Sequence, residues 1–324
     1  MNATIKEAYV TKNYYAFAFD PIHVGTGAYR LSGVDNTIMR DPATRLPKIP
    51  GSSLSGVTRA NASMRLQQPA FQCAGKGGEG GEEHCGKPEC VICISFGFSK
   101  SDKQSLSGMA QFFDASILLF PVYTMFGTVW MTSNRILKDK GLELPFELGI
   151  EQLAIVENFM AKNPPPDKLN ISWLLLDVHP QKINAEQLAM TLFGSERNKE
   201  QVQKRLNPIL NRLVIVHDNL FSRLVNDNLE VRTSVSIDPM TGAAVEGALF
   251  TYEAIPRTTF FEYQVVYNDP ENFEIDGKKP KKNLHDVINA VETGMKDFAG
   301  TGVGGMNTRG FGRLSVLNLN GGVQ

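Results

Sequence analysis

Proline and glycine together limit what residues 32–65, SGVDNTIMRDPATRLPKIPGSSLSGVTRANASMR, can fold into. A helix cannot run through Pro50, which lacks an N–H and whose ring clashes with the turn before it. Gly51, Ser52, Ser53, Leu54, Ser55 and Gly56 follow, so a helix is predicted from about Ser53 to Gln67. Ser52 or Ser53 is the expected N-cap, its hydroxyl accepting a first-turn N–H. Upstream stand a lone acid, Asp35, and a turn at Asp41-Pro42-Ala43-Thr44 that the Asp41 side chain is expected to close. Gly51 and Gly56 carry no side chain, so a ligand's phosphate can approach the unpaired amides there. Arg40, Arg45, Arg59 and Arg65 surround the segment with guanidinium groups suited to phosphate oxygens. An ordinary loop entering an ordinary capped helix fits the same residues.

The rest of the chain alternates strand and helix signals. Residues 12–20 set Tyr15, Phe17 and Phe19 against Tyr14, Ala16 and Ala18, a strand pattern, before a glycine-punctuated turn where His23 reads as structural. Residues 109–134 read as one or two core strands broken or edged at Pro121, with Asp114 satisfying local backbone. Residues 138–214 read as a helical insertion, because 147–162, 185–194 and 196–213 each carry near-helical apolar spacing. Residues 213–218 return to strand. Residues 230–261 form a long hairpin turning at Asp238-Pro239-Met240-Thr241-Gly242. A strand at 263–267 precedes a helix over 283–298, capped by Asn283, with Leu284, Val287, Ile288, Val291, Met295 and Phe298 in one stripe.

All four cysteines fall within 21 residues, as Cys73, Cys85, Cys90 and Cys93. The pair Cys90-x2-Cys93 lets two thiolates on one turn reach a tetrahedral ion, which suggests a structural zinc site. Its ligands would be Cys85, Cys90 and Cys93 with either Cys73 or His84 as the fourth. Four soft ligands leave no open position, so catalysis by this ion is not expected. A disulfide pair or free thiols are the alternatives. The glycine-rich, acidic linker with Glu79, Glu82 and Glu83 would need the metal to order it.

Near the end, GTGVGGMNTRGFGR carries six glycines with Arg309 and Arg313. It is not a dinucleotide fingerprint, since a helix precedes it and a strand at 313–319 follows. Nor does it carry the Gly-Lys-Ser/Thr of a phosphate-binding P-loop. A nest of backbone amides flanked by arginines still suits a phosphate backbone. The net charge of −1 argues against coating long nucleic acid by charge alone, while leaving room for a local basic groove. Apolar residues at 42% and charged residues at 21% are those of a soluble globular protein; with no membrane-length apolar run and no signal-peptide core, a cytoplasmic location is expected.

The ordered run GVDNTIMRDPATRLPKIPGSSLSGVTR closely resembles a segment of the RAMP superfamily, the repeat-associated proteins that form the backbone of type III CRISPR effector complexes. There an acid in a loop is followed by an Arg-Asp turn and Pro-x-Ile-Pro-Gly-Ser-Ser-Leu-x-Gly. Gly304-Gly305-Met306-Asn307-Thr308-Arg309-Gly310-Phe311-Gly312 resembles the family's C-terminal glycine-rich loop. VIVHDNLFSRLV and TGAAVEGALFTYEAIPRTTFF resemble the repeated type III-B subunit, whereas the cysteines look more like zinc-bearing relatives in types III-A and III-D.

The resemblance implies an α+β fold, with a ferredoxin-like (modified RNA-recognition-motif) palm, a β-hairpin thumb, a zinc-binding insertion and a helical insertion. On that reading residues 1–70 and 95–137 are the first part of the palm, 71–94 the zinc-binding insertion and 138–214 the helical insertion. Residues 215–262 hold a strand and the thumb, and 263–324 the rest of the palm. It further implies copies stacked along a guide RNA with other subunits of the complex. Arg40, Gly51, Ser52, Ser53, Ser55, Arg59, Gly304, Gly305, Thr308 and Arg309 would contact the guide. Asp35 would cut single-stranded target RNA at regular intervals, with Mg²⁺ or another divalent cation. The alternative is a guide-binding scaffold of the same fold that does not cut. One departure stands out: where relatives often carry Lys in Gly-Ser-Ser-Leu-Lys-Gly, this chain has Ser55.

Overall fold

A computed structural model describes residues 8–27, 34–76, 83–100, 104–162, 164–245 and 247–319. Glu79 and Glu82 of the acidic linker, and Ser32 and Gly33 of the helix-start segment, lie outside the described residues. The chain is mixed α+β, built on an eleven-stranded mixed sheet. Strand β1 (Tyr9–Ala18) runs inside the sheet, so Tyr14 to Ala18 are buried on both faces. The short β2 (Lys48–Ile49) leads into helix α1 (Gly51–Leu66), and α2 (Val91–Phe96) follows the cysteines. A separate two-stranded ladder pairs β3 (Phe98–Ser99) with β4 (Ser105–Leu106).

The sheet then takes β5 (Ala110–Phe112), β6 (Ala115–Thr124) and β7 (Gly127–Ser133), followed by α3 (Asn134–Asp139). Next come β8 (Gln152–Ile155), β9 (Lys168–Ile171) and β10 (Leu174–Val178), then α4 (Ala185–Phe193) and α5 (Glu200–Leu206). Strand β11 (Leu213–Val216) and α6 (Asp218–Asp227) precede a hairpin of β12 (Glu230–Ser234) and β13 (Phe250–Ala254). The chain closes with β14 (Phe260–Asn268), α7 (Leu284–Lys296), α8 (Phe298–Thr301) and β15 (Leu314–Val316). Spatially the strands run β15-β1-β14-β6-β7-β11-β8-β10-β9, with β2 added on β6 and β5 on β14. No helix among the described residues is long and apolar enough to cross a membrane.

Several expectations need correction. The segment 138–214 is not a helical insertion: it supplies three strands, β8 to β10, that with the predicted strand β11 extend the central sheet, and only α4 and α5 match the predicted helices. Leu153, Ala154 and Ile155 are fully buried because β8 lies between β11 and β10. A strand covered on both faces reads as a continuous apolar run, which periodicity alone does not separate from a buried helix. Pro121 does not break its strand either; β6 continues through it, paired with Trp130 of β7. The pairing of β6 with β14 stops at Leu119, so the proline has a ladder neighbour on one side only.

Helices α1 and α7 pack at one close contact. A Cβ on Gly294 would lie 2.2 Å from the Thr58 carbonyl oxygen, and Asn61 Nδ2 donates to the Gly294 carbonyl at 3.1 Å. On an exposed helix Gly→Ala gains about 1 kcal/mol. Here the backbone clash reverses the sign, and Gly294→Ala is expected to cost about 1–3 kcal/mol, read as a lower denaturant midpoint with unchanged slope. A raised midpoint would refute this packing.

Candidate functional site

Asp35 is exposed at the rim of the hairpin. Residues 36–38 run parallel beside β13: Asn36 bridges Tyr252, Asn36 N–H donates to the Thr251 carbonyl at 3.0 Å, and Glu253 N–H to the Asn36 carbonyl at 3.0 Å. Thr251 holds the acid itself, donating its N–H (2.7 Å) and hydroxyl (3.0 Å) to Asp35 Oδ2. These bonds stabilise the anion, the backbone bond most, and hold the Asp35 carboxyl below the usual carboxylate range. It therefore stays ionised throughout the neutral range.

Arg40 sits at the other end of this strip with its guanidinium occupied. It pairs with both Glu253 carboxylate oxygens (2.9 and 3.0 Å) and donates to Asn226 Oδ1 (2.8 Å) and the Ile38 carbonyl (3.0 Å). It thus ties the acid loop to β13 and α6. Asp41 closes its turn as expected, accepting from Ala43 N–H, Thr44 N–H and the Thr44 hydroxyl. Arg65 is likewise paired, with Asp297.

Neither serine caps α1. Pro50 holds the N-cap position with no side-chain cap, and the Gly51 N–H donates instead to Asp114 Oδ1 at 2.8 Å. Asp114, also bound to Lys48 at 2.6 Å, serves as the cap from the β5–β6 junction. Gly51 is not an opening for a ligand: a Cβ there would meet the Phe112 carbonyl oxygen at 2.2 Å. Only glycine lets the two backbones meet so closely. Ser52 and Gly56 are exposed, and open space surrounds Gly56.

The glycine-rich loop packs mainly on the His23 loop and the hairpin base. Gly305 N–H donates to the His23 carbonyl (2.8 Å), Gly312 N–H to the Pro21 carbonyl (2.9 Å) and Val303 N–H to the Gly312 carbonyl (2.8 Å). Most of the supposed amide nest is therefore spent internally, and Gly304 is required because a Cβ would lie 2.4 Å from the His23 carbonyl oxygen. His23 is structural, buried with Nδ1 donating to the Glu253 carbonyl at 2.6 Å. Phe311 is buried against Tyr252, and Arg232 lies 4.5 Å over its ring. Arg309 stacks on Phe250 and, with Thr308, faces outward. Arg313 pairs with Asp20. The adjoining Thr301 touches α1 at Asn61, ten residues and about 15 Å of helix beyond Gly51. The two glycine-bearing segments therefore do not merge into one cradle at the start of α1.

The four cysteine sulfurs converge within 4.8 Å of one another. Cys85 and Cys93 lie 3.7 Å apart, Cys90 and Cys73 3.8 Å. A tetrahedron with Zn–S bonds of about 2.3 Å has edges of about 3.8 Å, so the quartet can hold such a metal. A disulfide would need sulfurs about 2 Å apart, and all four are free thiols. Cys73, not His84, completes the group; His84 Nδ1 lies 3.0 Å from the Arg59 guanidinium. Arg59 also donates to the Cys73 carbonyl at 2.7 Å, placing a cation against the sulfurs. The hydrogen bond between Cys93 and Cys90 draws the Cys90 thiol down and pushes the Cys93 thiol up, so Cys90 is the sulfur that ionises first. Among the described residues this is the one group of three or more His, Cys, Asp or Glu side chains able to share an ion.

Sequence reasoning missed Thr251 and Glu253. Their signal was legible: they alternate with Tyr252 and Ala254, placing two polar side chains on one face of a hairpin strand.

Solved structures share its fold: type III-B Cmr-beta bound to cognate target RNA gives a TM-score of 0.61 at 13% identity over 96% of this chain and 98% of that one. Oligomeric Cmr4 from Pyrococcus furiosus gives 0.56 at 18% identity, covering 96% and 98%. The model of the RAMP superfamily matches residues 18–315, and the chain belongs to that superfamily. Among curated relatives, the CRISPR system Cms endoribonuclease Csm3 of Methanothermobacter thermautotrophicus is 32% identical over 147 residues. That match covers 42% of this chain and 55% of the relative, so this chain spans about half of its length. The CRISPR system Cmr endoribonuclease Cmr4 of Pyrococcus furiosus is 27% identical over 265 residues, covering 78% of this chain and 80% of the relative.

Proposed function

We propose that the chain is a repeated backbone subunit of a type III CRISPR interference complex. It binds the guide RNA along a filament of like subunits and cleaves complementary target RNA at regular intervals. The observation that carries this reading is Asp35, an exposed, ionised acid fixed to strand β13 of the hairpin. Relatives named as endoribonucleases support it. The palm is ferredoxin-like, the hairpin is the thumb, and the cysteine quartet holds a structural Zn²⁺.

The hairpin suits the task. Its strands and tip expose Val231, Ile237, Leu249 and Met240, the last 91% accessible. Such an apolar ribbon can enter between bases and unstack them, bending the target so that a 2′-hydroxyl lines up with the adjacent phosphorus. The 2′-oxygen then attacks, the P–O5′ bond breaks, and a 2′,3′-cyclic phosphate and a 5′-hydroxyl result. The hydroxyl proton passes to solvent and the leaving oxygen is reprotonated. Asp35, with its lowered carboxyl, is a poor base for that proton. Its other oxygen, Oδ1, would instead help to hold a hydrated divalent cation. When bound, Mg²⁺ would supply charge relief at that phosphate. Among the described residues Asp35 belongs to no group of three or more His, Cys, Asp or Glu side chains able to share an ion, so water and RNA would supply most of such an ion's ligands.

Guide contacts fall to the outward groups. Ser52, Ser53, Ser55 and Gly56 offer a small-residue surface on α1, and Thr308 with Arg309 a basic edge on the glycine-rich loop. Arg40 and Arg59 act through the acid loop and the sulfur cluster.

The reading is tested with the assembled guide complex and a target carrying single 2′-deoxy nucleotides. Cuts at regular spacing are expected, each lost only where its own 2′-hydroxyl is missing. A target that is bound and left intact would establish the scaffold alternative.

A further inference from the structure

We propose that Thr251 is a positioning residue that locks the Asp35 carboxylate to the hairpin strand, so that acid and hairpin move as one unit. This rests on Asp35 being the cutting acid. The Asp35 N–H donates to Thr251 Oγ1 at 3.0 Å, while that hydroxyl and the Thr251 N–H donate to Asp35 Oδ2 at 3.0 and 2.7 Å. The exchange is reciprocal. Because Oγ1 accepts from Asp35 N–H, its single proton is aimed at Oδ2. One carboxylate oxygen is thereby pinned. Oδ1 takes no hydrogen bond among the described residues, on a residue that is exposed.

The latch has a particular location. Thr251 stands in β13, opposite Thr233 of β12, in the ribbon that carries the apolar tip. Two residues on, Glu253 accepts from Ile38 N–H (3.2 Å) and pairs with Arg40, so the acid loop is fastened to the same strand face at both ends. Any shift of the hairpin that bends the target therefore carries Asp35 with it. Cutting follows when the hairpin is seated in the RNA, because the acid reaches the scissile phosphate only in that pose. A free loop would let the acid sample poses in which a misplacement of about 1 Å costs up to roughly a hundredfold in rate.

The test uses the reconstituted guide complex with wild type, Thr251→Val, Thr251→Ser and Asp35→Ala, reading single-turnover cleavage and target affinity separately. Valine keeps the shape and the backbone N–H but removes the hydroxyl from both of its bonds. Thr251→Val is expected to slow cutting about 10- to 100-fold with unchanged target affinity. Thr251→Ser is expected to restore most of the rate. Wild-type cutting by Thr251→Val beside an inactive Asp35→Ala would overturn this inference alone. Full cutting by Asp35→Ala would overturn it together with the reading it rests on. A Thr251→Val defect in target binding equal to its defect in cutting, or no rescue by serine, would also overturn it, assigning Thr251 to hairpin integrity.

Discussion

Cys90→Ser is expected to abolish metal binding and to destabilise the chain by on the order of 5 kcal/mol. A structural zinc supplies an apparent ~10–16 kcal/mol in small zinc-ordered peptides. The loss here is smaller because α2 carries its own anchors: Ile92 and Ile94 are fully buried. Cys73, also fully buried, tethers the segment after α1 to the same cluster. Without an ion, sulfurs held within 4.8 Å of one another cannot all ionise together, and the cluster loses the charge that would hold them in place. Elemental analysis should find about one zinc per wild-type chain and none in Cys90→Ser, and a strong chelator should lower the wild-type denaturant midpoint toward that of the variant. A metal-free wild type of unchanged stability on chelation would refute the site. Arg59 of α1 donates to the Cys73 carbonyl, so loss of the metal should also loosen the helix surface assigned to the guide.

What was legible in the sequence was local chemistry. Asn283 and Asp286 form the capping box that starts α7, and the Asp238 turn folds the hairpin, with Gly242 N–H donating to the Asp238 carbonyl at 2.8 Å. The cysteine spacing likewise foretold a convergent quartet. What failed depended on partners distant in sequence. Asp114 caps α1 from 63 residues away, so no window around Ser52 could reveal that both serines were dispensable as caps. Arg40 looked available for phosphate because Glu253, its partner, lies 213 residues later. The glycines at 304 and 312 looked like an open nest because nothing in the sequence placed His23 and Pro21 beneath them. The strand β8 was misread because burial on both faces erases the alternation that marks a strand.

Removing one carboxylate should separate binding from cutting. Asp35 is exposed and its side-chain hydrogen bonds among the described residues are to Thr251, so Asp35→Ala leaves the core, the sheet and the outward guide surface intact. The hairpin keeps its pairing through β12 and its anchorage through Glu253 and Arg40. Guide loading and target affinity should therefore match wild type. Cutting should fall by about 10²–10⁴-fold, the range typical when one group is removed from proton-transfer or charge-stabilising chemistry. The rate of the wild type should show no acid limb from Asp35 between about pH 5 and 8, because its carboxyl lies below the usual value of about 3.9 and is ionised throughout. The decisive measurement is single-turnover cleavage of a labelled complementary RNA by guide complexes assembled with wild-type or Asp35→Ala subunits, with target affinity measured on the same preparations. The regular ladder of cuts should vanish in the variant while the target stays bound; an unchanged ladder would contradict the assignment of cutting to this acid.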